Sequence, residues 1–145
     1  MSSEVEILHT FPNIEIVAIN RSIVESRRRF RYGEKLIVVH LSNGQDICFY
    51  AITDCCASVC LRTDIKEFKE LIGKKLSSLV FIKSEDNSIG GCRPDNTYYY
   101  YKFVFSDNTE FEFDFDGDHG NGGYYMAEVT VSISDVNGKE LEEEE

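Results

Sequence analysis

Five cysteines, three histidines and a glycine-interrupted run of acids are the residues of this 145-residue chain best suited to chemistry. Asp54-Cys55-Cys56, with Cys60 close behind, offers thiols beside a carboxylate. Such a group could build a zinc shell or, with His119, a nucleophile and its base. In a strand, however, Cys55 and Cys56 point to opposite faces, and residues four apart lie roughly 13 Å from each other. That is too wide for two thiolates to share a zinc ion with bonds of about 2.3 Å. Only a helix would bring Cys56 and Cys60 together, with His40 or His119 left to complete the shell. Burial as small hydrophobes is the expected role of the cysteines. Asp114-Phe115-Asp116-Gly117-Asp118-His119-Gly120 supplies oxygen ligands of the kind calcium takes. Counted from Asp114, its glycines fall at the fourth and seventh positions, and the twelfth is Tyr125 instead of a bidentate glutamate, so no metal is expected there. His9, His40 and His119 are scattered, and neither a Gly-x-Ser-x-Gly elbow nor a Gly-x-x-x-x-Gly-Lys phosphate loop occurs. No catalytic residue and no cofactor are predicted. The enzymatic alternative is a metal-dependent or Cys/His hydrolase using Asp54, Cys55 or Cys56 and His119, which requires those groups to converge on one pocket.

Charge narrows the partners. With 26 acidic and 15 basic residues the formal net charge is −11, which repels phosphate backbones and anionic membranes and favours a basic protein partner or a cation. Arg21, Arg27, Arg28, Arg29, Arg31 and Lys35 concentrate the positive charge in one stretch. They are expected to neutralise the protein's own acidic face; a nucleotide-sequestering module using Arg27 to Arg31 is the alternative. No run is long enough to span a membrane, and Met1-Ser2-Ser3-Glu4 does not open a signal peptide. With an odd number of cysteines the chain reads as a reduced, cytoplasmic protein, or one of the host cytoplasm if viral.

The elements that would carry these residues are mostly strands. Glu110-Phe111-Glu112-Phe113-Asp114-Phe115-Asp116 alternates acid and ring, which only the period of a β-strand satisfies. Flanking segments Thr97–Ser106 and Tyr124–Ser134 share that character. The predicted fold is α+β: a mainly antiparallel sheet, whether a meander, curled or sandwich-like, with one short helix over 64–73. A single domain is expected over 1–138, followed by an acidic disordered tail, 139–145. Val5–Leu8 and Ile14–Ile19 are strand-like on either side of Phe11-Pro12-Asn13, as two short strands or as one strand with a bent continuation. Leu36–Leu41 and Gln45–Thr53 flank Ser42-Asn43-Gly44, read as a type I′ hairpin, and Asp54–Leu61 reads as a buried strand. Asp64-Ile65-Lys66-Glu67 is a capping box in which Asp64 accepts from the Glu67 N–H, and Gly73 ends the helix. Strand character resumes over Leu76–Ile82. A three-residue loop Asp107-Asn108-Thr109 sets Phe105 across from Phe111 and Lys102 across from Asp114, gathering the rings on one face. The sequence shows no internal repeat.

Asp54-Cys55-Cys56-Ala57, Leu71-Ile72-Gly73-Lys74 and Asn121-Gly122-Gly123-Tyr124-Tyr125, in that order, resemble a small uncharacterised domain family of bacteriophage and bacterial proteins. Its pattern is an Asp-Cys-Cys-Ala strand, a helix ending in Leu-Ile/Leu-Gly, and a Ser-Asn-Gly-Tyr-Tyr turn leading into the last strand. The resemblance covers roughly Gly33 to Ile133; this chain lacks the serine and carries an additional glycine. It implies no activity, but singles out Asp54, Cys55, Cys56, Asn121, Gly122, Tyr124 and Tyr125 as a binding group whose two turns lie side by side. The function expected is that of a small non-enzymatic binding protein, a phage or mobile-element accessory engaging a host protein or small ligand through the Gly-rich loop and its tyrosines.

Overall fold

Two left-handed residues, Asn13 (φ 55°) and Gly73 (φ 99°), stand at matching points of a chain that builds the same plan twice. In the computed structural model described here, residues 5–21, 34–53, 57–88, 95–120 and 126–134 are described. Among these described residues are eight strands, β1 (Glu6–Arg21), β2 (Glu34–Leu41), β3 (Asp46–Thr53), β4 (Ser58–Leu61), β5 (Lys75–Asn87), β6 (Asn96–Phe105), β7 (Glu110–Asp118) and β8 (Ala127–Ile133), and one helix, α1 (Ile65–Lys69). All pairings are antiparallel, in the order β4-β7-β6-β5-β1-β2-β3-β8, and the sheet is open. Mainly antiparallel sheet with one short helix is thus what the chain forms.

That order reads the same from either end when β1–β4 is exchanged for β5–β8. Each half is a three-stranded meander whose fourth strand crosses to the other half's meander: β4 pairs with β7, and β8 with β3. Residue by residue the agreement is close. Ile16 pairs with Leu41 before a bulge and Ala18 with His40 after it; Leu76 pairs with Phe105 before a bulge and Ser78 with Val104 after it. Ser42 N–H donates to the Glu15 carbonyl and Ser106 N–H to the Lys75 carbonyl, both at 2.9 Å. Glu15 and Lys75 are themselves partners, which places the pseudo-twofold axis between them. The repeat escapes the sequence because backbone devices recur while side chains do not.

Both hairpin loops illustrate this. In Leu41-Ser42-Asn43-Gly44-Gln45, Leu41 N–H donates to Gln45 O and Gly44 N–H to Leu41 O; in Phe105-Ser106-Asp107-Asn108-Thr109 the equivalent bonds recur. Gly44 (φ 95°) and Asn108 (φ 69°) take the left-handed third position, and the Asn43 and Asp107 side chains accept from the next-but-one N–H at 3.0 Å. Asn43 itself has no positive φ, so the first hairpin is not the expected type I′ turn but a three-residue loop. The second loop is Ser106-Asp107-Asn108, one residue earlier than expected, because Asn tolerates the left-handed region and β-branched Thr109 does not. Phe103 therefore faces Phe111, and Lys102 faces Glu112. The slip is two residues in pairing, so the rings keep the core face as predicted.

Of the two readings open for Val5–Leu8 and Ile14–Ile19, the bent continuation holds: they belong to one strand, which pairs with β5 through Glu6–Glu15 and with β2 through Ile16–Arg21. Two further expectations change. The helix proper is shorter than 64–73, with three-residue turns carrying the chain on to Gly73, and Asp64 Oδ1 accepts from Lys66 N–H (3.0 Å) rather than from Glu67, whose N–H goes to the Asp64 carbonyl. β4 is a partly exposed edge strand, not a buried one, since its outer side has no neighbour in the sheet. The acidic tail, 139–145, lies outside the described residues.

The core forms where the halves meet. Phe49 of β3 packs against Tyr101, Phe113 and Phe115, each with ring centroids 5.4 Å away, and Phe68 of α1 closes on Phe111 and Phe113 at 5.0 and 5.1 Å. Each such ring contributes about 1.5–3 kcal/mol through burial and each favourable ring pair about 0.5–1.5 kcal/mol more. No helix among the described residues is long and apolar enough to cross a membrane.

Candidate functional site

The crossings that exchange strands between the halves run through 54–56 and 121–125, and those two segments hold all the predicted binding residues. Asp54, Cys55, Cys56, Asn121, Gly122, Tyr124 and Tyr125 lie outside the described residues, as do Arg27 to Arg31. Their described neighbours are well defined. Thr53 and Ala127 are strand partners, and so are Ser58 and Asp118. The described residues that flank the two segments are therefore neighbours in the sheet.

The crossing is packed tightly where β8 passes over the sheet. Gly117 lies under Ala127, and a Cβ at that position would come within 2.9 Å of the Ala127 carbonyl oxygen and 3.2 Å of the Tyr99 ring. Tyr99 then donates its hydroxyl to that same carbonyl at 2.7 Å. Burial, with the Glu128 and Asp86 carboxylates adding to it, pushes the Tyr99 phenol up to about 12, so the hydroxyl stays a donor at any physiological pH.

Next to it runs a polar chain. Thr97 is buried; its Oγ1 donates to Asp86 Oδ1 at 2.8 Å and, with its one proton committed there, accepts from His119 Nε2 at 2.6 Å. His119 N–H reaches the Asp95 carbonyl (3.0 Å), and Asp95 N–H the Asn87 carbonyl (2.8 Å), so the entry to the glycine segment is tied to the far ends of β5 and β6. Gly120 (φ 79°) takes a left-handed turn there, its N–H held by Asp118 Oδ1 at 2.9 Å.

Among the described residues, Lys102, Arg62 and Asn96 reach the acidic face of β7; the arginines of 27–31 expected to neutralise it lie outside them. Lys102 reaches Glu110 (3.2 Å), Arg62 reaches Asp114 (3.1 Å) while lying 4.5 Å over the Tyr98 ring, and Asn96 donates to Asp116 (2.8 Å). Surface pairs of this kind contribute up to about 1 kcal/mol each. They fix side chains as much as they stabilise.

Cysteine placement corrects the expectation of burial in part. Cys48 is buried, but Cys60 is exposed because β4 is an edge strand. Although the residue as a whole is exposed, partial desolvation of its thiol and the Asp116 carboxylate of its strand partner raise the thiol pKa above its ordinary value, which makes it a weak nucleophile at neutral pH. Cys55 and Cys56 lie outside the described residues, so their relation to His119 is not part of this geometry. No group of three or more metal-ligating side chains occurs among the described residues.

Two polar networks were not singled out by sequence reasoning. One is the Asp86–Thr97–His119 chain, whose members are scattered in sequence and meet only through the β5–β6–β7 pairing. The other links Asp46, His40 and Asn20: His40 Nδ1 to Asp46 Oδ1 is 2.7 Å and Nε2 to Asn20 Nδ2 2.9 Å. A three-residue loop at 42–44 makes His40 and Asp46 partners, so this pair was within reach of the sequence.

Neither the curated proteins nor the solved structures contain a match to the chain. A domain family of unknown function, DUF7448, does match, over residues 16–131. The matched span opens at Ile16, beside the pseudo-twofold axis, and closes within β8, so it takes in both meanders and both strand-exchanging crossings; with that much of its architecture inside the match, the chain belongs to the DUF7448 family.

Proposed function

We propose that this is a small non-enzymatic binding protein whose contact surface is the end of the sheet where segments 54–56 and 121–125 cross. One observation carries the reading: Thr53 beside Ala127 and Ser58 beside Asp118 bring both ends of both segments to one place on a pinned scaffold. Tyrosines presented from such a scaffold give large contact area at low entropic cost. On the motif resemblance, the partner is a host protein and the setting that of a phage or mobile-element accessory. The acids of β7 and of the adjoining strand ends would steer a basic partner, accelerating encounter more than tightening the complex.

Affinity purification from the host tests this. Wild-type protein should retain a partner that is lost from a Tyr124→Ala/Tyr125→Ala variant but kept by Lys69→Ala, altered in the helix that packs on Phe111 at the other end of β7 from Asp118. Recovery of the same partner by all three proteins would refute the assignment. With the partner in hand, charge reversal at Glu110, Glu112 and Asp116 should slow association steeply at low salt and little at high salt; equal rates would remove the steering role alone.

A further inference from the structure

The sheet ends at β8, and the free side of that strand lies in a groove. Ser134 N–H donates to the Asp46 carbonyl at 2.9 Å, and Ile47 stands opposite Ile133. Thr130 with Tyr50 and Ser132 with Cys48 are then the hydrogen-bonded pairs, so the N–H and C=O groups of Val129, Val131 and Ile133 point away from β3. The outward carbonyl of Ala127 is taken by Tyr99. For the other three residues no outward hydrogen bond occurs among the described residues.

Proteins ordinarily blunt such an edge with lysine, proline or a bulge. Val129-Thr130-Val131-Ser132-Ile133 has no charge and no proline, and its pairing with β3 runs without a bulge. The edge opens on a cavity of about 470 Å³ whose other walls are Leu8 and His9 of β1, Phe81 and Tyr101. On the opposite bank Leu8 is itself exposed, 36% accessible, because β2 covers only the second half of β1.

We propose that β8 is a strand-addition site. An extended segment of a protein partner pairs with Val129–Ile133 and lays alternate apolar side chains on Phe81, Tyr101 and Leu8, in the manner of peptides that extend a sheet at its edge. Between its apolar residues the segment carries lysine or arginine. The groove is lined without Lys or Arg, Glu6 stands opposite Phe81 and Glu128 precedes Val129 at its ends, and the chain as a whole carries −11. The same charge opposes a second copy. Shape opposes it too: a β8 edge recessed in one groove cannot meet another recessed in its own, whereas a single extended strand can enter. The residues of this edge and groove are not those of segments 54–56 and 121–125, and the proposal does not depend on the reading given to them.

The probe is a nine-residue peptide of alternating valine and lysine, titrated into the full-length chain. Binding should slow amide exchange at Val129, Val131 and Ile133 by at least about tenfold and leave Thr130 and Ser132, already paired with β3, unchanged. Val131→Pro removes one outward N–H without touching the β3 ladder and should weaken binding at least about tenfold. Methylating alternate backbone nitrogens of the peptide should do the same with no change to the protein. Absence of binding, unaltered exchange at the three amides, or equal affinity for the methylated peptide overturns the proposal. So does concentration-dependent dimerisation that protects the same amides, which would assign the edge to a second copy.

Discussion

The first half of the molecule, β1 to β4, and the second, β5 to β8, share a backbone and almost nothing else. Ile37, Val39 and Leu41 of β2 occupy the positions that Tyr101, Phe103 and Phe105 hold in β6, and all six are buried. Aliphatic side chains in one half thus stand where the other half has rings, and all join one core. What is kept is the left-handed residue before each meander, the bulge after Ile16 and Leu76, the third residue of each loop, and one ring: Phe49 in β3 and Phe113 in β7. The fold is therefore fixed by a few backbone positions and by volume, not by residue identity. The halves part company ahead of Asn13 and Gly73. Before Asn13 the chain continues as strand; before Gly73 it forms α1, whose Phe68 plugs the ring cluster.

The most severe test of this equivalence lies in the core. Phe49→Ala and Phe113→Ala should each cost about 3–5 kcal/mol in chemical denaturation. Because the two rings touch, the double variant should lose less than the sum; strict additivity, or a large cost at one site only, would break the correspondence. Next comes the left-handed pair. Nothing lies within 4 Å of a Cβ built on Gly73, so Gly73→Ala should cost about 1–2 kcal/mol from backbone strain alone. Asn13→Gly keeps the conformation and gives up the 2.8 Å bond from Ser77, a change expected to stay under about 1 kcal/mol. A neutral Gly73→Ala would show that the two residues are not the same device.

The smallest effect sharpens a difference between the halves. Tyr99 pins the second crossing, and its counterpart in the first half is the exposed Lys35. A phenol raised from 10 to about 12 in the folded protein stabilises fully below pH 10, and its contribution is lost as pH rises from 10 towards 12, because the unfolded chain releases the proton first. Stability measured across that window should fall more steeply for wild type than for Tyr99→Phe. Parallel profiles would mean that the hydroxyl does not hold Ala127.

Much of this architecture could be read from the residues. The acid–phenylalanine alternation gave β7 and its core face correctly, and Asn43-Gly44 located the first hairpin. The register slip at 106–108 came from placing the loop before asking which residue could be left-handed. The repeat stayed hidden because Asn stands for Gly at 13 and 108, and phenylalanine for leucine at 105. Exposure of Cys60 was out of reach, since nothing local says that the strand after Cys55-Cys56 crosses to the edge of the other meander. The candidate segments 54–56 and 121–125 were singled out by short motifs; the polar chain beside them was not, because Asp86, Thr97 and His119 meet only through long-range pairing.

Reciprocal strand exchange also has a consequence during synthesis. When β3 leaves the ribosome its partner β8 has not been made, and Ile47 must wait for Ile133. At about 5–20 residues per second that is a delay of several seconds or more. Through that interval a buried, ring-bearing strand has one side unpaired, and the first meander depends on the last strand for its completion. Neither half can finish folding without the other, and the nascent chain is most vulnerable to wrong pairing just before β8 emerges.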